Sequence, residues 1–218
     1  MKNIKPLAAL LILILLALSA SAHTINYHME AQPMQNVVWY YLWLGFEHII
    51  PYGLDHILFV IGICLLSNKL STLLWQATAF TVAHTITLIL SMKGIIEVPA
   101  AIIEPIIALS IAFIAIENML ISQLKPWRIA VIFLFGLIHG MGFASALNEL
   151  GLPRNAFYTS LITFNIGVEL GQAAVILAMY FGVIYWFGQK VWYRKFVVYP
   201  VSTVIAITAI YWTITRVM

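Results

Sequence analysis

Hydrophobic positions run almost unbroken along this chain, and polar residues gather in a few short intervals between them. Apolar stretches fall at 38–67, 71–91, 99–121, 127–148, 157–186 and 196–217. Each is long enough to cross a hydrocarbon core of about 30 Å as a helix, so the pattern predicts six transmembrane helices in an all-α polytopic bundle. Turn signals separate them: Ser67-Asn68-Lys69, Lys93-Gly94 through Pro99, Lys125-Pro126, Gly151-Leu152-Pro153 and Gln189 to Lys195. The first stretch is too long for one straight crossing. Pro51 and Gly53 predict a break inside it, with part of it at the outer interface or re-entering, because proline lacks a backbone donor and glycine accepts unusual dihedrals.

The chain opens with Lys2 and Lys5, an apolar run from Leu7 to Leu18, and Ser19-Ala20-Ser21-Ala22. That order of basic, apolar and small residues predicts a cleaved secretory signal over 1–22. A short extracytoplasmic segment, 23–37, then leads into a transmembrane domain over 38–218. With the mature N-terminus outside, Lys69, Lys125, Arg128, Lys190, Arg194 and Lys195 fall in cytoplasmic loops, and Lys93, Arg154 and Arg216 face outward. This excess agrees with the positive-inside rule and predicts a multi-pass protein of a bacterial-type inner (plasma) membrane. Trp39, Tyr40, Tyr41 and Trp43, and Trp192, Tyr193 and Tyr199, read as interfacial anchors.

Composition agrees: 63% hydrophobic and 9% charged residues over 218 positions describe an integral membrane protein whose main partner is the lipid bilayer. A net charge of +3, thinly spread, speaks against nucleic acid. The single cysteine, Cys64, excludes an internal disulfide and multi-thiolate metal sites. No Gly-x-x-x-x-Gly-Lys loop is present for built-in ATP coupling.

Four histidines and five carboxylates nevertheless lie within the apolar stretches: Glu47, His48, Asp55, His56, His84, Glu104, Glu117, His139 and Glu169. Each costs a few kcal/mol in hydrocarbon, so together they mark an interior site, and imidazole with carboxylate suits a divalent metal. On a straight helix His48 and His56 would share a face about 12 Å apart, too far for one ion unless the backbone breaks. The alternative for His48 is exposure to headgroups. His84, beside Thr81 and Thr85, reads as a ligand or as interhelical hydrogen-bond glue. Glu117-Asn118 lies thirteen residues after Glu104, roughly 20 Å lower along a helix. Glu104 could join an outer cluster, whereas Glu117 is a second station, an inner gate or a snorkelling side chain. Gly136 and Gly140 around His139 form a small-xxx-small pair that lets a helix come close. Asn165 and Glu169 stand one turn apart on one face, with Gln172 next. The sixth stretch carries no charge from Val197 to Thr215 and reads as scaffold.

On this topology Asp55, His56, His84, Glu104, His139, Asn165 and Glu169 share one depth, between the outer boundary and the midplane. A nitrogen and oxygen donor set suits Ni²⁺, Co²⁺, Zn²⁺ or Fe²⁺. Copper stays open because His23, His28, Met29 and Met34 could form an extracytoplasmic capture arm, the alternative being a plain flexible terminus.

Five motifs carry a resemblance. They are Gly53-x-Asp55-His56; Phe80-Thr81-x-Ala83-His84-Thr85-x-Thr87-Leu88; Glu104-x-x-Ile107-Ala108-Leu109-Ser110 with Glu117-Asn118; Phe135-Gly136-Leu137-x-His139-Gly140-x-Gly142-Phe143-Ala144; and Phe164-Asn165-x-Gly167-Val168-Glu169-Leu170-Gly171-Gln172. In this order, over about residues 44 to 187, they resemble the HupE/UreJ family. Its members are associated with accessory systems of hydrogenase and urease and are regarded as nickel or cobalt permeases. The resemblance implies a secondary metal transporter rather than an enzyme, with Asp55, His56, His84, His139 and Glu169 at the family's polar positions and metal-enzyme maturation proteins as partners. One branch carries a His-Pro pair ahead of Gly-x-Asp-His; here two isoleucines separate His48 from Pro51, as in the broader second branch. The expected route runs from an outer vestibule near His48 through the histidine site and inward by Glu117, driven by the membrane potential. The competing readings are an intramembrane metal-dependent hydrolase and a metal sensor or assembly factor that binds without transport.

Overall fold

The computed structural model describes residues 24–218, so the expected signal over 1–22 and His23 lie outside the described residues. What it describes is helical throughout: α1 (Tyr27–Glu30), α2 (Met34–Ile49), α3 (Leu54–Cys64), α4 (Leu70–Met92), α5 (Ala100–Leu120), α6 (Arg128–Leu150), α7 (Phe157–Met179), a π turn leading into α8 (Tyr185–Phe187), and α9 (Tyr199–Val217). Five spans are long and apolar enough to cross a membrane, and a sixth forms if α2 and α3 count as one span bent by 68°. That bend falls where Pro51 and Gly53 predict it. A side chain at Gly53 would run into the His48 carbonyl, so only glycine lets the chain fold back this tightly.

Small residues set the helix spacing. A β-carbon at Gly136 would strike the Phe80 carbonyl, and one at Gly140 the carbonyl of His84 and the hydroxyl of Thr87, so α4 and α6 are in backbone contact beside the histidines. Gly45 and Gly167 bring α2 equally close to α7, through the Phe164 and Leu42 carbonyls. The uncharged α9 packs on α5 through a core that includes Ile111, Ala112, Ala115, Ile205 and Ala209, as expected of scaffold.

The segment before α2 is tied down. The Thr24 carbonyl accepts from the Leu152 amide (3.0 Å) and the Asn26 amide donates to the Leu152 carbonyl (3.2 Å), which fastens the segment to the turn between α6 and α7. Gly151 allows that turn at φ 76°, and the Tyr41 hydroxyl donates to its carbonyl (2.8 Å). Tyr41 is therefore buried rather than an interfacial anchor, and Tyr193 likewise turns inward, whereas Trp39 and Trp43 remain exposed. The aromatic clusters look alike in sequence; the rotation of each helix decides which rings point out.

Candidate metal centre

The break between α2 and α3 creates the site. His48 ends α2 and His56 opens α3, and the fold-back brings their ring centroids to 4.6 Å. His84 of α4 approaches both, at 6.3 and 6.2 Å. One ligand atom from each of these three histidines lies within 4.8 Å of the others. His139 of α6 adds a fourth ring, 5.1 Å from His56. His56, His84 and His139 are buried and His48 is partly so, its ring 3.9 Å from that of Phe143.

Hydrogen bonds orient three of the rings. The Asp55 carboxylate accepts from His56 Nδ1 (3.1 Å), and the Phe135 carbonyl, one turn back on α6, accepts from His139 Nδ1 (2.8 Å). Asn165 donates its Nδ2 to the Leu161 carbonyl (2.8 Å), which turns its Oδ1 toward His84 Nδ1 (3.0 Å). With an acceptor facing each Nδ1, the proton sits there and Nε2 keeps its lone pair. The Nε2 atoms of His48, His56, His84 and His139 are all buried without a hydrogen-bond partner. Buried polar atoms are nearly always paired, so three orphaned acceptors beside a fourth unpaired ring nitrogen, that of His48, describe a site shaped for an electron-pair acceptor.

A cavity of about 210 Å³ leads to the cluster, lined by His48, Asp55, His56, Glu104, His139 and Arg216 with Ile107, Gly142 and Phe143. Glu104 is exposed at its rim, and Arg216 donates to the Glu104 carbonyl (3.2 Å). Glu104 thus shares the cavity with the histidines.

Other ionisable residues go elsewhere. Glu169 accepts from the Thr78 hydroxyl (2.6 Å) and lines a separate groove between α4 and α7 with Thr81, Thr85 and Ile166. Glu117 is buried and ion-paired with Arg128 (2.9 Å), which also donates to Asn118 Oδ1 (3.0 Å). Asn118 in turn donates to the Gly62 carbonyl at the far end of α3 (2.8 Å). Glu47 accepts from the Trp43 indole (2.7 Å), and His28 is exposed on α1. Along the sequence Arg128 reads only as a loop charge, although an arginine opening an apolar helix is itself a signal of a buried partner. The Phe135 carbonyl was open to inference as well, lying four residues before His139 on the same helix.

A family model described as HupE / UreJ protein matches residues 22–216. No curated protein and no solved structure matches the chain.

Proposed function

The chain belongs to the HupE/UreJ family, and from that premise we propose that it is a permease for a divalent transition metal, nickel or cobalt, whose ion is carried through the histidine cluster. One observation carries the reading: His48, His56 and His84 bring ligand atoms within 4.8 Å of one another beside the His139 ring, the Nε2 atoms of all four are buried without partners, and the opposite nitrogens of His56, His84 and His139 are held by Asp55, Asn165 and the Phe135 carbonyl. His48, His56 and His84 form the core ligand set, Asp55 and His139 complete it, and imidazole with carboxylate suits these borderline cations. Glu104 at the cavity rim draws the hydrated ion in, and the ion exchanges water for imidazole inside. Glu169, in its separate groove, acts on the cluster through the helix it shares with Asn165. The Glu117–Arg128 pair closes the route beyond the cluster, and the ion passes Glu117 when that pair opens. Metal-enzyme maturation proteins are the expected recipients.

Radiolabelled nickel and cobalt uptake tests this, comparing proteoliposomes with protein-free vesicles. Saturable, protein-dependent uptake is the expected result. Stoichiometric retention with no flux would replace the permease with a sensor or a metallohydrolase. Protons and metal compete for the same imidazole nitrogens, so affinity is expected to fall as pH is lowered. Nickel titrations at stepped pH check this; affinity that stays level would move the site off the histidines.

A further inference from the structure

A second cavity opens at the other end of the bundle, the end that carries Lys69, Lys125, Lys190, Arg194 and Lys195. It measures about 170 Å³, several times the ~30 Å³ share of a water molecule. Three connections build it: Leu65, Leu66 and Asn68 after α3, Ser122 after α5, and Gly188, Lys190, Tyr193 and Arg194 before α9. The helix α3 separates it from the metal centre, since His56 opens that helix and Leu65 follows its last residue.

Its chemistry is that of an anion site. Lys190 and Arg194 line it and no carboxylate does. None of the three loops, 65–69, 121–127 and 188–193, contains an aspartate or glutamate. Arg194 is already held in place, donating from Nη1 to the Ile121 carbonyl (2.9 Å), from Nη2 to the Met119 carbonyl (2.9 Å) and from Nε to the Tyr199 hydroxyl (3.3 Å). A guanidinium has five N–H groups, so two remain. Tyr193 is 6% exposed, and its buried hydroxyl has no hydrogen-bond partner. Burial pushes that phenol up to about 12, so it stays an O–H donor. The rings of Phe187 and Trp192, 5.4 Å apart, flank the same turn, as side chains at a headgroup boundary do.

We infer that this cavity binds a phosphate group, presented by the headgroup of an anionic phospholipid or as free phosphate, between Lys190, Arg194 and the Tyr193 hydroxyl. Lys190, Arg194 and Tyr193 line one cavity, and two cations with an unpaired donor beside them suit a phosphate and repel a metal ion, so the cavity is not a cation station. Anionic lipid is drawn to basic pockets at the cytoplasmic face, the side on which the charge bias places these loops.

The test uses the full chain in neutral detergent, with phosphatidylglycerol, phosphatidylcholine of the same acyl chains, and inorganic phosphate as probes. Native mass spectrometry reads retained lipid, and the thermal midpoint reads stabilisation. Phosphatidylglycerol is expected to be retained and to raise the midpoint, with phosphatidylcholine doing neither. Tyr193→Phe and Lys190→Gln are each expected to weaken phosphatidylglycerol about tenfold, the worth of one charge-assisted hydrogen bond. Both should keep nickel binding, because the metal centre lies beyond α3. Displacement of phosphatidylglycerol by millimolar phosphate would identify the bare phosphate as sufficient; its failure to compete would assign the site to lipid. Equal retention of the two lipids, or unchanged phosphatidylglycerol affinity in both variants, overturns the inference, and Lys190, being exposed, is replaceable without unfolding the chain.

Discussion

Alanine in place of His56 is expected to abolish saturable nickel and cobalt uptake and to lower metal affinity by more than 100-fold. His56 is the ring all the others share, 4.6 Å from His48, 6.2 Å from His84 and 5.1 Å from His139. Its removal leaves His48 and His84 as the only near pair and cuts His139 off from them. Asn165→Ala makes the graded comparison. Asn165 touches no ion in this reading; it holds His84 Nδ1 at 3.0 Å and fixes which nitrogen carries the proton. Loss of such a partner costs roughly 10–100-fold in affinity. Equilibrium dialysis of the detergent-solubilised protein, with uptake at equal incorporation, checks both variants. Natural affinity in His56→Ala would remove the cluster from the mechanism. An effect of Asn165→Ala as large as that of His56→Ala would make the amide a ligand and not a positioning group.

The second large effect falls on stability. Arg128→Ala is expected to cost about 3–5 kcal/mol, because it leaves the Glu117 carboxylate buried without its cation. Arg128 is 1% exposed and Glu117 5%. The guanidinium joins α6 to α5 at Glu117 and Asn118, and Asn118 joins both to α3 at the Gly62 carbonyl. Replacing both charges with neutral groups of similar volume, Glu117→Gln with Arg128→Met, is expected to recover most of the loss, since a buried pair repays its desolvation only in part. Denaturant titration followed by helical circular dichroism compares the single and double variants. Equal stability of Arg128→Ala and the natural protein would show that water already reaches the pair.

Much of this architecture is local and so can be read along the chain. The spans follow from runs of apolar residues long enough for the bilayer, and the break follows from Pro51 and Gly53, whose backbone chemistry acts wherever they stand. Gly136 and Gly140 announce a close helix contact because absence of a side chain has one main use in an apolar helix. The histidines announce an interior site because their polarity is costly in hydrocarbon. In each case the physical cause lies in the residue itself or within one helical turn.

What each buried group faces is another matter. Asp55, Glu117 and Glu169 are all carboxylates in apolar helices, and the chain alone treats them much alike. In the folded protein Asp55 orients His56, Glu169 turns to Thr78, and Glu117 meets Arg128. A helix turns about 100° per residue, so a small rotation or a change of tilt hands a side chain to a different neighbour. Those rotations come from contacts between distant segments: the Gly140 contact with His84, the Gly45 and Gly167 contacts between α2 and α7, and the 68° bend that folds His56 back onto His48. The sequence by itself determined that this chain spans a membrane in helices and buries histidines and carboxylates there. Only the tertiary structure decided which of them meet, because a shared cavity depends on helix rotation and close approach, and neither is a property of any one segment.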